Sequence, residues 1–236
     1  MKRQMSSPPL QDEKLISSFG IQRRNMLKFF GASAAVVALG TACKKNNDYV
    51  DPNTDKGVFL GAGDFQILNF AYALEQLEAA FYTQVVTSGG FNAMSALEKT
   101  YMMDIKDHEV AHREYFKTAL GSNAIKGLTP NFTAVDFNSR AGILAQAKAF
   151  EDTGVSAYNG AGQYIVDVNY LLAAGKIVSV EARHAALIRD LISNGTFSDD
   201  LDANALDISK PPTAIVDIAN AFLSADSQIS KRGLPA

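Results

Sequence analysis

The sequence predicts an all-α chain: a four-helix bundle of two antiparallel hairpins joined by a long crossover, with a short C-terminal helix added. Three observations carry that reading. Apolar residues recur at helical spacing through four long stretches, strand-like alternation is sparse, and the links between the stretches run short, long, short.

The first helix is expected over 64–88, where Phe65, Leu68, Ala71, Tyr72, Leu74, Leu77, Phe81 and Val85 form one face. Asp64 is its expected N-cap and Gly89-Gly90 its stop. The second, over 93–120, carries Leu97, Tyr101, Ile105, His108, His112, Phe116 and Leu120, and Gly121 ends it. The third, over 138–162, carries Ile143, Leu144, Ala147, Phe150, Val155 and Tyr158. The fourth runs over 167–193 to Asn194-Gly195, and Pro211-Pro212 opens a short helix to about 224, because proline is tolerated in a first turn. The links at 89–92 and around Gly160-Ala161-Gly162 are short, which makes each hairpin antiparallel. The link over 122–137 is long. At ~3.3 Å per extended residue it can run back along a bundle of helices ~37 Å long.

Two strings repeat within this frame. Glu109-Val-Ala-His112 and Glu181-Ala-Arg-His184 each place a carboxylate and an imidazole on one helix face, about a turn apart. Each also has a glutamate upstream: Glu75 lies 34 residues before Glu109, and Glu151 lies 30 residues before Glu181. A tyrosine follows each upstream glutamate by seven residues, Tyr82 and Tyr158. Residue 92 is the midpoint of Glu75 and Glu109, and residue 166 that of Glu151 and Glu181. Both midpoints fall at a hairpin turn, so each Glu is expected level with its Glu-x-x-His partner.

Glu75 and Glu151 sit in apolar surroundings, and a buried carboxylate without a partner is very costly. Four glutamates and two histidines at one depth therefore call for cations. Two divalent ions offset the four negative charges. Oxygen and imidazole ligands without sulfur suit iron or manganese. Some assignments stay open at this stage. Glu78, one turn from Glu75, is an alternative ligand, although the tyrosine spacing favours Glu75. His108 is read as a packing or supporting histidine, Asp107 and Asp152 as solvated or helix-facing, and the run of Tyr and Phe as core.

The ends have their own signals. Gln22-Arg23-Arg24-Asn25-Met26-Leu27-Lys28 resembles the twin-arginine export motif. The apolar run 29–42 is too short to span a bilayer and ends in small residues before Cys43, the only cysteine, which resembles a lipoprotein signal. The expected organisation is a signal over 1–42, a polar tether over 43–62, a four-helix domain over 63–195 and an extension over 196–236 in which no chemistry is evident. Removing 1–42 takes six Lys/Arg and two Asp/Glu from a chain of net charge −3 and leaves −7. Such an acidic domain argues against nucleic acid as a partner. A single cysteine excludes a disulfide framework and a thiolate metal site.

One Glu on each of two helices and Glu-x-x-His on each of the other two resembles the ferritin-like di-iron/di-manganese carboxylate superfamily. Leu68-Asn69-Phe70-Ala71-Tyr72-Ala73-Leu74-Glu75-Gln76-Leu77-Glu78-Ala79-Ala80-Phe81-Tyr82 and Val180-Glu181-Ala182-Arg183-His184-Ala185-Ala186-Leu187 are similar to the ferritin-like domain family that includes desiccation-related proteins. The similarity covers about 60–195 and is specific at the six ligand positions. It implies that Glu75, Glu109 and His112 hold one metal and Glu151, Glu181 and His184 the other, with one or two glutamates bridging, and that Tyr82 and Tyr158 lie just outside the ligands.

The resulting expectation is an exported, lipid-anchored protein with a di-iron or di-manganese centre and ferroxidase-, peroxidase- or catalase-like chemistry. The alternative is a non-enzymatic, stress- or desiccation-related envelope protein on the same bundle. The implied partners are the twin-arginine machinery, a membrane reached through the lipid, and a second copy of the chain. Lys44 after Cys43 favours the outer membrane over other parts of the cell envelope or periplasm. The rubredoxin-like cysteines that feed electrons in rubrerythrins are absent, which weighs against a self-contained peroxidase.

Overall fold

The computed structural model describes residues 56–236; Arg23, Arg24 and Cys43, and with them the export and lipidation expectations, lie outside the described residues. Four long helices form the bundle: α1 (Asp64–Val85), α3 (Ala96–Leu120), α4 (Arg140–Ala161) and α5 (Val168–Ile192). A single-turn helix, α2 (Gly89–Asn92), fills the first link, and α6 (Pro212–Asn220) follows the bundle. Hairpin α1/α3 packs on hairpin α4/α5, and α6 closes over α1 and α4. Among the described residues no helix is long and apolar enough to cross a membrane.

The four long helices and α6 agree with the sequence expectation in order, α2 is an additional turn of helix in the first link, and the ends differ for identifiable reasons. Helix α1 stops at Val85 because Ser88 turns the chain, its hydroxyl accepting from the Phe91 amide to cap α2. Helix α3 starts at Ala96, three residues late, where Ser95 and Glu98 form a capping box. Asp64 is the first residue of α1 instead of its cap, and Gly63 takes the cap position with φ 59°. The Asp64 carboxylate accepts from the Val166 and Asp167 amides at 2.9 and 2.7 Å, which fastens the α4–α5 link to the start of α1. Helix α6 ends at Asn220, four residues short of expectation. The Asn220 side chain there donates to the Ile229 carbonyl and accepts from its amide, so the chain doubles back.

Three apolar clusters fill the molecule. One joins Phe70, Leu74 and Leu77 of α1 to Ala157 of α4 and to Ile215, Val216 and Ala219 of α6. A second, at the other end, stacks Phe81 edge-on to Phe150 and Phe132, the latter supplied by the crossover. The third joins Leu68 and Tyr72 to Phe116, Tyr158 and Ile177. Phe65 and Leu97, expected on apolar faces, are exposed. The crossover is pinned to the tail through Asn131 N to Phe222 O and Ser224 N to Thr129 O, at 2.7 and 2.9 Å.

Gly160 marks a tight approach. A Cβ there would lie 1.8 Å from the Lys210 carbonyl oxygen, because the returning chain bonds its Lys210 amide to Ser156 O. Gly160→Ala should therefore destabilise by about 1–3 kcal/mol, as overpacking does, even though alanine is the better helix former. Chemical denaturation compared with Gly175→Ala, where a Cβ meets nothing, checks this.

Candidate metal centre

Glu75 comes from α1, Glu109 and His112 from α3, Glu151 from α4, Glu181 and His184 from α5. The structure brings all six together at one depth of the bundle. The four glutamates have 0% exposed surface. The His112 Nδ1 atom lies 2.7 Å from Glu181, 3.5 Å from Glu75 and 3.6 Å from Glu109. The His184 Nδ1 atom lies 2.8 Å from Glu109 and 3.5 Å from both Glu151 and Glu181. Each histidine is thus nearest to the glutamate of the other Glu-x-x-His string.

Two ligand sets emerge, Glu75–Glu109–His112–Glu181 and Glu109–Glu151–Glu181–His184, with the donor atoms of each within 4.8 Å of one another. Glu109 and Glu181 belong to both sets. Both imidazole Nδ1 atoms, both oxygens of Glu109 and of Glu181, and one oxygen each of Glu75 and Glu151 are buried without a hydrogen-bond partner. The Nδ1 atoms are close to carboxylates but not aligned to donate to them. Buried donor atoms converging on two points without aligned hydrogen bonds fit bound cations.

The upstream tyrosines cross over. Tyr82 of α1 donates to Glu151 of α4, and Tyr158 of α4 donates to Glu75 of α1. Burial first, then the carboxylates, push both phenols well above their ordinary range, so each keeps its proton and donates. Each pins one oxygen of its glutamate and leaves the other facing the centre.

Without an ion the cluster balances itself with protons. Burial works against charge on His112, but Glu109, Glu181 and Glu75 raise it to about 12. Burial likewise opposes charge on His184, and Glu109, Glu151 and Glu181 bring it to about 12. Burial pushes Glu75 up, and pushes Glu151 to about 8. Burial would raise Glu109 as well, but the two imidazoles hold it down at about 2.

The remaining candidates separate. Glu78 is buried one turn from Glu75 but does not join the converging atoms; it faces Gly154, against which its Oε1 lies 3.1 Å from where a Cβ would stand. His108 stacks on His184 at 5.2 Å between ring centroids, and the two rings meet at 2.9 Å, Nδ1 to Nε2. Asp107 is exposed beside Lys106. Asp152 is not solvated: it pairs with Lys148 at 2.8 Å and with Arg189 at 2.5 Å. Arg189, a residue not singled out in the sequence, is 3% exposed and also binds Asp199 and Asp200 of the 196–210 loop. Its signal was a lone arginine inside the apolar face of α5, which demands acidic partners.

A family model for the ferritin-like domain matches residues 63–194. The chain belongs to the ferritin-like domain family. No curated protein matches it. The family match spans both hairpins and every residue of the two ligand sets.

Two outcomes follow from this geometry. Tyr158→Phe should lower metal affinity by about 10–100-fold while the bundle stays folded, because Glu75 loses the group that orients it; competition against a chromophoric chelator measures it. Arg189→Ala should cost about 1.5–3 kcal/mol, since Asp152, Asp199 and Asp200 lose their shared partner while Asp152 keeps Lys148; denaturant midpoints read this directly.

Proposed function

We propose that this protein is an exported, lipid-anchored member of the ferritin-like family that holds two iron or manganese ions and uses them in oxygen- or peroxide-linked redox chemistry. The observation that carries the reading is the convergence of buried, unpartnered donor atoms of four glutamates and two histidines on two shared points. Glu75, Glu109, His112 and Glu181 would hold one ion, and Glu109, Glu151, Glu181 and His184 the other. Bound there, two redox-active ions supply two-electron exchange with dioxygen or peroxide.

The chain's own residues do the rest. Tyr82 and Tyr158 hold Glu151 and Glu75 in place. Glu109 and Glu181 fix the separation of the two positions. The apolar clusters above and below keep bulk water out along the bundle axis. Export through the twin-arginine route carries folded proteins, so ions could be acquired before zinc and copper compete for the site. Cys43 then becomes the lipid-bearing residue that anchors the domain in the envelope.

Loading must displace protons. His112 and His184 hold theirs to about 12, and Glu151 to about 8. A group whose pKa is raised in the folded protein keeps its proton through neutral pH, so ions compete less with protons as pH rises. Metal affinity should therefore increase from about pH 6 to about pH 9, with net proton release on binding. Calorimetry in two buffers of different ionisation enthalpy measures the protons released. A pH-independent affinity would exclude this cluster as the binding site.

The activity is tested by adding hydrogen peroxide to the loaded protein under an optical probe. Spectral change with peroxide consumption, abolished in Glu109→Ala/Glu181→Ala, supports redox function. A loaded but inert and spectrally unresponsive centre leaves the non-enzymatic envelope role.

A further inference from the structure

The two halves of the internal repeat differ beside their histidines. Four residues before His112 stands His108; four residues before His184 stands Val180. Residues four apart share a helix face. His108 reaches from α3 to α5 and covers the outer edge of His184. Val180, an aliphatic residue, has no side-chain polar atom to offer His112. His112 instead lines a groove of about 540 Å³ between α3 and α5, shared with Ala111, Tyr115, Leu172, Ala173 and Lys176. Its side chain is 13% exposed, against 6% for His184. One end of the ligand cluster is thus roofed by a second histidine, and at the other the His112 ring stands between the buried glutamates and the groove.

The groove has a definite chemistry. Ala111 and Ala173 leave its floor open, and among the described residues Lys176 is the only Lys, Arg, Asp or Glu in its lining. Four carboxylates and two divalent ions sum to zero, so the loaded centre puts little net field at the mouth. Lys176 sets that field, against the negative charge of the domain as a whole. We propose that the groove between α3 and α5 is the entry by which small anions reach the centre at its His112 end, and that Lys176 selects for negative charge there. The class of ligand is a small inorganic monoanion that is ionised at neutral pH, and not a bulky organic substrate. The inference rests on the di-metal reading above.

The test uses the full chain from its native host, with azide as the probe. Metal content is measured first, then azide is titrated and followed optically or by electron paramagnetic resonance. Lys176→Glu should weaken azide binding roughly tenfold at low ionic strength, with the difference shrinking as salt screens it. Ala173→Phe should slow azide arrival by filling the groove. Lys99→Glu, the same charge change at the far end of α3, should leave azide binding unaltered. All three variants should keep the wild-type metal content. Normal metal content with unchanged azide affinity and rate in both groove variants would overturn the entry route alone. A wild-type protein without metal would overturn the di-metal reading, and the entry route with it.

Discussion

Four carboxylates buried at one depth of an apolar bundle are the constraint on which the rest of the structure depends. Unpaired, they would cost several kcal/mol each, more than a domain of this size has in reserve. The fold meets this in layers. Two histidines on the same faces supply positive charge in the absence of metal, and two phenols each take one carboxylate oxygen. What remains is a set of donor atoms aimed inward with no aligned hydrogen bond from the protein. A chain that needed only a stable bundle would place leucine at these positions. Carboxylates there are explained by the ions they would hold.

The internal repeat explains how one sequence pattern builds a two-sided centre. Each hairpin contributes one Glu and one Glu-x-x-His, but neither hairpin completes a ligand set alone. His112 is closest to Glu181 of the other hairpin, and His184 to Glu109. The tyrosines cross in the same way. Seven residues along a helix is a rise of about 10 Å, so Tyr82 cannot reach its own Glu75 and meets Glu151 on the facing helix instead. The two hairpins are therefore locked together through the site itself. The repeat is not kept throughout: His108 against Val180 leaves one end roofed and the other beside a groove.

Helix order, the long crossover and the six converging residues were legible because helical spacing and link length are properties of the chain alone. The start of α3 departs from the apolar spacing because the Ser95 and Glu98 capping box sets it. The exchange of tyrosines was not legible, because it depends on which helix faces α1 across the bundle. Nor were the partners of Arg189 or the contact at Gly160. Both involve chain that returns from beyond α5, through Asp199, Asp200 and Lys210, and no local pattern reports that return. Asp152, read as solvated or helix-facing, faces α5: it pairs with Lys148 of its own helix and with Arg189 across the hairpin.

Elemental analysis of the protein purified from its native host is the most direct measurement. The account predicts close to two iron or manganese ions per chain, lost together in Glu109→Ala/Glu181→Ala, because those two glutamates belong to both ligand sets. Less than about a tenth of an ion per chain, in a wild-type bundle that remains folded, would contradict it and leave the buried carboxylates balanced by protons alone.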